Sequence, residues 1–351
     1  MNLRARTYTA FVTVLEVIQK SSEFLAKKGV ESARLQTELL LAHALKLPRM
    51  KLYLNFERKL SDAELDSIRE LVKRRSQREP LQHITGSTSF CGFEMAVNRH
   101  VLVPRPETEL LAEMGWEFLN RTSQSPHPAS GHPPHETCSS GRESALSDSR
   151  KHSEPTHVGC YSSGVQGAKL LSANSLPVGR GEGLALDFGT GSGCIAIAIA
   201  VKCPAARVVA TDVSAEALAI AGQNAARNGV ADRIEFHCGD GFNAISSGAQ
   251  FDLIVSNPPY IPSAEITTLQ PEVRDFDPNG ALDGGADGLD FYRMLAEKAG
   301  AFLKPEGRIM LEFGDGQADD VKRLFESQKW VVESVREDYT RRQRILTARR
   351  S

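Results

Sequence analysis

Apolar runs of strand length alternate with helical patterns in the second half of the chain, and this alternation constrains the fold more than any other feature. The first four runs are LALDF, RVVATD, IEFHCGD and FDLIVSNPPY, with the helical segments CIAIAIAVK and AEALAIAGQNAARNG between the first three. Further helices are predicted at about 289–303, before RIMLEFG, and at about 317–328, before WVVESV. This order predicts a doubly wound α/β sheet. WVVESV and QRILTAR have no helix between them, which predicts an antiparallel hairpin at one edge.

Residues 1–80 are predicted to form a small helical bundle. Val14 and Ile18 lie on one face of a first helix, and a second helix runs through ESARLQTELLLAHAL. A third helix begins at Ser61, where Glu64 completes a capping box. Three apolar stripes of this kind bury one another most simply as a bundle.

Two further segments complete the predicted organisation. Residues 81–104 are interpreted as a β-hairpin linker, since FEMAV alternates with period two, a turn is plausible at Asn98-Arg99, and VLV follows. In residues 121–183, Ser (13), Gly (8) and Pro (6) fill 27 of 63 positions, which predicts a disordered low-complexity insertion. Residues 105–120 and 184–351 would then form the second domain.

Composition excludes several classes of protein. The chain has 351 residues, a net charge of −2 and 41% hydrophobic residues, which favours a globular protein of about two domains. No window resembles a membrane span or a secretion signal, and the six cysteines show no CxxC pair. We therefore expect a reduced, cytoplasmic protein without membrane contact.

No metal site is predicted. The insertion contains a group of residues that are able to ligate a metal, namely His127, His132, His135 and Cys138. A low-complexity insertion is the favoured interpretation, because nothing nearby would organise these side chains as ligands.

A glycine-rich turn follows the first strand of the predicted sheet. It comprises Gly189, Thr190, Gly191, Ser192 and Gly193, at the point where the strand passes into a helix. Glycines let a ligand approach the backbone, and the helix start offers free N–H groups. The third glycine comes one position too early for a dinucleotide fingerprint, which favours a nucleoside ligand without a pyrophosphate. A tight strand–helix turn without a ligand is the alternative.

Acidic residues end the next two strands. Asp212 lies 21 residues after Gly191, where an acid accepts hydrogen bonds from ribose hydroxyls in such folds. The alternative role for Asp212 is a helix cap, but Ser214 is available to cap that helix. Asp240 and Gly241 end the third strand and are placed to meet a base edge, although Asp-Gly is also a common turn.

The fourth strand ends in Asn257, Pro258, Pro259 and Tyr260. Two prolines hold the chain rigidly and supply no N–H group. The Asn257 side-chain oxygen and the Pro258 carbonyl are then able to accept from one NH₂ group, with Tyr260 against its planar face. The motif predicts a planar substrate that presents an amide or an aromatic amine.

Together these motifs resemble the S-adenosylmethionine-dependent methyltransferases that modify planar nitrogens. The helical N-terminus, ITGSTSFCGFEMAVNRHVLVPRPETELL, SNPPYI and EVRDFDPNGALDGGADGLDFYR resemble the release-factor glutamine methyltransferases, the HemK/PrmC family, over roughly 1–120 and 184–351. NPPY alone is shared with adenine and cytosine amino-methyltransferases, whereas RPETE and ALDGGADGLDFYR are more specific. The resemblance implies a Rossmann-like class I methyltransferase domain with a seven-stranded sheet.

The resemblance also implies roles for individual residues. Gly189 to Gly193 would hold the methionine part of S-adenosylmethionine, Asp212 the ribose and Asp240-Gly241 the adenine. Asn257 to Tyr260 would bind the glutamine amide of the Gly-Gly-Gln loop in class I peptide release factors, and Asn257 would also border the cofactor. The family often has an aromatic residue where this chain has Gly241.

Recognition of the protein substrate is assigned to the helical domain and to the RPETE segment. Arg105, Glu107 and Thr108 are expected to line the substrate mouth, although Glu107 also suits a helix start. A basic cluster either contributes to binding or forms a solvated helix face; it comprises Arg69, Lys73, Arg74, Arg75 and Arg78.

Two alternatives to release factor methylation remain. One is an amino-methyltransferase acting on DNA or RNA, or on another protein glutamine. Residues 184–351 carry 18 basic and 24 acidic residues, so stable nucleic-acid binding is not expected. The other is a cofactor-binding protein without turnover. We expect the protein to be a monomer.

Overall fold

The computed structural model describes residues 12–124 and 183–351. Most of the insertion predicted at 121–183, including the group around His127, therefore lies outside the described residues. Its first four residues, 121–124, are helical rather than disordered, because a helix that begins at Pro106 continues to Gln124. None of the described helices is both long and apolar enough to cross a membrane. Within the described ranges, no group of three or more candidate metal ligands occurs.

From residue 12 onward, the N-terminal region contains five helices: α1 (Val14–Lys27), α2 (Ala33–Leu45), α3 (Arg49–Tyr53), α4 (Asp62–Ser76) and α5 (Leu81–Thr85). The predicted capping box is present, because Ser61 accepts from the Glu64 N–H and the Glu64 carboxylate accepts from the Ser61 N–H. Val14, Ile18 and Ile68 belong to one buried cluster at the centre of the bundle. The short helices α3 and α5 were not predicted, since five residues are too few for a periodic pattern.

The β-hairpin lies earlier than the sequence predicted. Its strands are β1 (Ser87–Phe90) and β2 (Phe93–Ala96), so FEMA forms the second strand rather than the first. Cys91 and Gly92 form the turn with φ of +51° and +81°. A two-residue turn of type I′ needs positive φ at both positions, which explains why the chain reverses here and not at Asn98-Arg99.

Helix α6 (Pro106–Gln124) precedes a seven-stranded sheet. The strands are β3 (Gly183–Phe188), β4 (Ala206–Asp212), β5 (Ile234–Cys238), β6 (Phe251–Ser256), β7 (Leu303–Glu312), β8 (Trp330–Glu337) and β9 (Gln343–Arg350). The helices are α7 (Cys194–Lys202), α8 (Ala215–Arg227), α9 (Pro271–Arg274), α10 (Asp290–Lys298) and α11 (Ala318–Ser327).

The strand order is β5-β4-β3-β6-β7-β9-β8. Neighbours from β5 to β7 are parallel, whereas β9 runs antiparallel to both β7 and β8. The predicted antiparallel edge is thus confirmed. The chain builds the sheet outward from β3 in both directions, with β4 on one side and β6 on the other. The carboxyl ends of these three strands therefore meet at one edge, where open α/β sheets bind ligands.

Candidate active site

The glycine-rich turn leaves room for a ligand. Gly189, Gly191 and Gly193 have φ of +74°, +54° and +80°, which disfavours other residues at all three positions. A Cβ at Gly189 or Gly191 would meet nothing within 4 Å, so these positions border open space. A Cβ at Gly193 would lie only 3.0 Å from that of Ala221, so this glycine instead allows α7 and α8 to pack closely.

A buried carboxyl group holds this turn in place. Asp187 Oδ2 accepts from the Thr190 hydroxyl at 2.6 Å and from the Ala196 N–H at 3.0 Å. Burial raises the pKa of Asp187 to about 6, although these two hydrogen bonds lower it. Ser192 is also buried, and its carbonyl accepts from Asn224 Nδ2 at 2.9 Å. Thr190 and Ser192 therefore support the turn from within the protein.

Asp212 connects the end of β4 with the glycine-rich turn. Its Oδ2 accepts from the Gly191 N–H at 2.8 Å, and its Oδ1 accepts from the Ser214 N–H at 2.9 Å. Ser214 caps α8, as the sequence suggested, so the acid is not needed for that purpose. Each carboxylate oxygen retains acceptor capacity, and the next residue, Val213, is 68% exposed. The site thus offers an acceptor and an apolar surface side by side.

Asp240 and Gly241 lie after β5, where a short 3₁₀ helix begins at Gly241. Gly241 has φ of +59°, and a Cβ there would lie 3.2 Å from Phe188 Cζ. The following aromatic residue, Phe242, is buried and stacks on Phe302 with ring centroids 4.7 Å apart. Its ring therefore belongs to the core and does not replace an aromatic residue at position 241.

Asn257 lies beside the glycine-rich turn because their strands are neighbours. The Ser256 hydroxyl donates to the Phe188 carbonyl at 2.6 Å, which joins the ends of β6 and β3. The Asn257 side chain donates from Nδ2 to the Thr108 hydroxyl at 3.0 Å. This bond engages the amide nitrogen, and Asn257 Oδ1 retains its capacity to accept hydrogen bonds.

The backbone that follows Asn257 is held by the ALDGGADGL segment. The Gly284 N–H donates to the Ile261 carbonyl at 2.9 Å. A Cβ at Gly288 would lie 2.3 Å from the Tyr260 carbonyl oxygen, and one at Gly284 would lie 2.9 Å from that of Pro259. The two glycines are needed for this close approach. Burial raises the pKa of the Tyr260 hydroxyl to about 12, so it is neutral at physiological pH.

A buried acid behind Asn257 was missed by the sequence analysis. Glu312 is 2% exposed at the carboxyl end of β7, beside Asn257 because Leu311 pairs with Ser256, and hydrogen bonding from Thr108 and Asn257 lowers its pKa. Burial raises its pKa to about 7, against the lowering effect of these bonds. The available signal was a charged residue that ends the apolar strand RIMLEFG.

The RPETE residues occupy different positions around this site. Arg105 forms an ion pair with the buried Asp277 at 2.8 Å, and Glu107 lies in the first turn of α6. Thr108 is buried and contacts Asn257 directly. Arg105 and Thr108 thus join the start of α6 to the loops that carry the site.

The basic cluster is largely engaged within the protein. Arg75 is 3% exposed and donates to Glu272 at 2.7 Å, and Arg78 donates to the same carboxylate. Arg74 pairs with Glu79. For Arg75, the interpretation as a solvated helix face is wrong, because this side chain is buried and joins α4 to α9.

The residues present fit S-adenosylmethionine. Open space borders Gly189 and Gly191, and Asp212 supplies a carboxylate acceptor beside them. Together with the strand order and the NPPY motif after β6, these features define a methyltransferase of the S-adenosylmethionine-dependent class.

Comparison with known proteins identifies the family. Residues 16–86 match the PrmC N-terminal domain, and residues 155–270 match the methyltransferase small domain. The release factor glutamine methyltransferase of Geobacter sulfurreducens is 40% identical, over 89% of this chain and 88% of that protein. The protein of the same name from Chlorobaculum tepidum is 36% identical, over 95% of this chain and 96% of its own length. The chain therefore belongs to the release factor glutamine methyltransferase family.

Proposed function

We propose that this protein transfers a methyl group from S-adenosylmethionine to the side-chain amide nitrogen of the glutamine in the Gly-Gly-Gln loop of class I peptide release factors. The orientation of Asn257 carries the proposal. Its Nδ2 is engaged by Thr108, so its oxygen is the atom that meets the substrate, and an oxygen acceptor suits an NH₂ group. The names of the two relatives support the same substrate.

The cofactor would lie across the ends of β3, β4 and β5. Backbone groups of Gly189 to Gly193 would hold its methionine part, and Asp212 would accept from its ribose hydroxyls. Asp240 and Gly241 would border the adenine, with the exposed Val213 available to pack against the base. Bound in this way, S-adenosylmethionine supplies an activated methyl group on a sulfonium.

The protein's main contribution to the reaction would be orientation. An amide nitrogen is a poor nucleophile because its lone pair is delocalised into the carbonyl. Asn257 Oδ1 and the Pro258 carbonyl would each accept one amide hydrogen, which favours a pyramidal nitrogen and directs its lone pair toward the cofactor. Tyr260 would lie against the plane of the amide. Such positioning is able to supply several kcal/mol of barrier reduction, and no strong base is needed before transfer.

The protein substrate would contact the helical domain and the start of α6. A cavity of about 390 Å³ between these parts is lined by residues from both, including Leu35, Leu81, Arg105 and Val273. Arg105, Glu107 and Thr108 would lie at or behind the substrate mouth. The domain boundaries predicted from the sequence remain part of this proposal, as do a monomeric state and a cytoplasmic location, where release factors act.

Transfer of a labelled methyl group tests the substrate. Purified enzyme is offered labelled S-adenosylmethionine with a class I release factor, its Gln→Ala loop variant or duplex DNA. We expect label on the intact factor alone. Label on DNA or on the Gln→Ala factor would assign the enzyme to another substrate, and cofactor binding without any transfer would favour a protein without turnover.

Replacement of Asn257 by alanine tests the site. We expect turnover to fall by about 10²- to 10³-fold, since one positioned polar group is removed, while the dissociation constant for S-adenosylmethionine changes by no more than about threefold. A variant that retains near wild-type turnover would refute the role of Asn257.

A further inference from the structure

Glu312 is a buried acid that the transfer chemistry itself does not require. It is 2% exposed at the end of β7, and its Oε2 has no hydrogen-bond partner among the described residues. Its carboxyl group lies beside Asn257, since Leu311 pairs with Ser256, and within electrostatic reach of Thr108 at the start of α6. Burial of an acid is costly, so its position directly behind the substrate-facing amide needs an explanation.

One hydrogen bond joins Thr108 to Asn257, and Glu312 lies beside this pair. The Thr108 hydroxyl accepts from Asn257 Nδ2 and has one proton of its own to donate. An ionised carboxylate only accepts hydrogen bonds, so Glu312 favours the arrangement in which the Thr108 hydroxyl turns its proton toward the carboxylate and accepts from Asn257 Nδ2. Because Glu312 lies beside Asn257, a flipped amide would turn its Oδ1 toward the negative carboxylate, which repels it. The ionised acid therefore selects one of the two amide orientations.

We propose that Glu312 is a positioning residue, which acts through Thr108 to keep Asn257 Oδ1 turned toward the substrate. The inference rests on the proposed function, since it concerns the group that would accept the substrate's amide hydrogens. Glu312 itself does not touch the reacting atoms. Its role is to exclude the orientation in which the Asn257 NH₂ group would face the NH₂ group of the substrate amide, since both groups are donors.

Several groups facing Glu312 determine when it is ionised. Glu107 on α6 raises its pKa, and Arg344 on β9 lowers it. The neutral hydroxyls of Tyr260 and Tyr292 also lie within its electrostatic range. With burial as the largest influence, the pKa is about 7. As the pH falls below this value, Glu312 gains a proton, becomes a possible donor and no longer selects one amide orientation.

The first test observes the amide without any substrate. The Asn257 side-chain ¹⁵N–¹H₂ resonances, assigned by their absence in Asn257→Asp, are followed from pH 5.5 to 8.5. We expect an inflection near pH 7 in the wild type and in Glu312→Asp, and none in Glu312→Gln. Since this readout needs no methyl transfer, it separates failure of this inference from failure of the proposed function. An unchanged inflection in Glu312→Gln would overturn the inference.

The second test measures kcat for release factor methylation over the same pH range. We expect wild-type kcat to fall about tenfold below pH 7, because a hydrogen bond to a charged group is roughly twice as strong as a neutral one. Glu312→Gln is expected to have a reduced kcat without this inflection, with cofactor affinity within about threefold of the wild type. Glu312→Asp should restore the inflection. A Glu312→Gln enzyme with wild-type kcat and pH profile would overturn the inference.

Two further sets of variants guard against a general structural effect. Thr108→Val removes the hydroxyl and should lower kcat further than Thr108→Ser, which retains it; equal rates in the two would also overturn the inference. Glu333→Gln makes the same substitution on the edge strand β8, where the acid pairs with Arg308 and Arg349. It should leave the pH profile unchanged, and a Glu333→Gln profile altered in the same way as that of Glu312→Gln would count against a specific role for Glu312.

Discussion

The ion pairs of Glu272 are expected to hold the helical bundle on the catalytic domain. Glu272 Oε1 lies 2.7 Å from Arg75 Nη2, and Glu272 Oε2 lies 2.6 Å from Arg78 Nη2. The Arg75 side chain is only 4% exposed, and that of Glu272 is 19% exposed. Glu272→Gln removes the charge but keeps the size, so its effect reports on these pairs rather than on packing.

The size of the effect follows from burial. Removal of one partner of a fully buried ion pair costs about 3–5 kcal/mol, because the other charge is left uncompensated. Arg75 also donates to the Gln36 side chain and to the Glu79 carbonyl, and these bonds remain in the variant. We therefore expect a loss of about 2 kcal/mol, below the range for a fully buried pair.

Hydrogen exchange measured by mass spectrometry reads this loss locally. A loss of about 2 kcal/mol in opening free energy corresponds to roughly 30-fold faster exchange, which we expect in peptides from α4 and α9. Local exchange is preferable to one melting temperature because two domains need not unfold together. Asp275→Asn is the matched control, since its pair with Arg274 on the same segment is exposed and should contribute nothing measurable.

The result that would refute this reasoning is exchange in α4 that changes by less than about threefold in Glu272→Gln. The pair would then contribute no more than an exposed one, despite its burial.

The pKa of Glu272 supports the expected direction. Partial burial raises it, but the bonds from Arg78 and Arg75 outweigh burial and leave it lowered. The stabilisation is therefore present above the ordinary pKa of glutamate and is lost as the pH falls through the lowered value.

Three other variants address the cofactor site and the buried acid. Gly193→Ala should destabilise the protein by about 1–3 kcal/mol in urea unfolding, since φ is +80° and the new Cβ would lie 3.0 Å from that of Ala221; an unchanged midpoint would contradict the packing argument. Asp212→Asn should weaken S-adenosylmethionine binding by about tenfold or more in calorimetry, because a charged acceptor for the Gly191 N–H and for the proposed ribose contact is lost; equal affinity would remove Asp212 from the site. For Glu312, a pKa of about 7 against 4.5 for a free glutamate means that its contribution to stability is present at low pH and is lost as the pH rises through 7. The unfolding free energy of Glu312→Gln relative to that of the wild type should accordingly rise by roughly 3 kcal/mol from pH 5 to pH 8. An equal difference between variant and wild type at both pH values would contradict the raised pKa.

The sheet was predictable from the sequence because its cause is local. Each central strand is a short apolar run that ends in glycine, aspartate or asparagine, and the spacing of these runs determines the order of strands and helices. The placement of Asp212 and Asn257 at one edge follows from the parallel topology alone. The β-hairpin turn was misplaced because Cys91 is not a typical residue for positive φ, whereas Asn98-Arg99 resembles an ordinary turn.

The partners of the candidate site could not be predicted in this way. Thr108, Asn257 and Glu312 are separated by more than 50 residues along the chain, and only the packing of α6 against β6 and β7 brings them together. The same holds for Arg75 and Glu272, which are 197 positions apart. A single sequence shows that such residues are charged or polar, but not which of them meet.

The strand order also has a consequence for how the chain is made. β9 follows β8 in the chain but lies between β8 and β7 in the sheet. During synthesis, β7 therefore emerges with one edge unpaired, and that edge stays open until residues 343–350 have left the ribosome and paired with it. An open edge can pair with other chains. A stalled nascent chain would therefore be exposed to aggregation at β7, the strand that carries Glu312, until β9 pairs with it. Pairing of β9 is thus the step that covers this edge of β7 and joins β8 to the sheet.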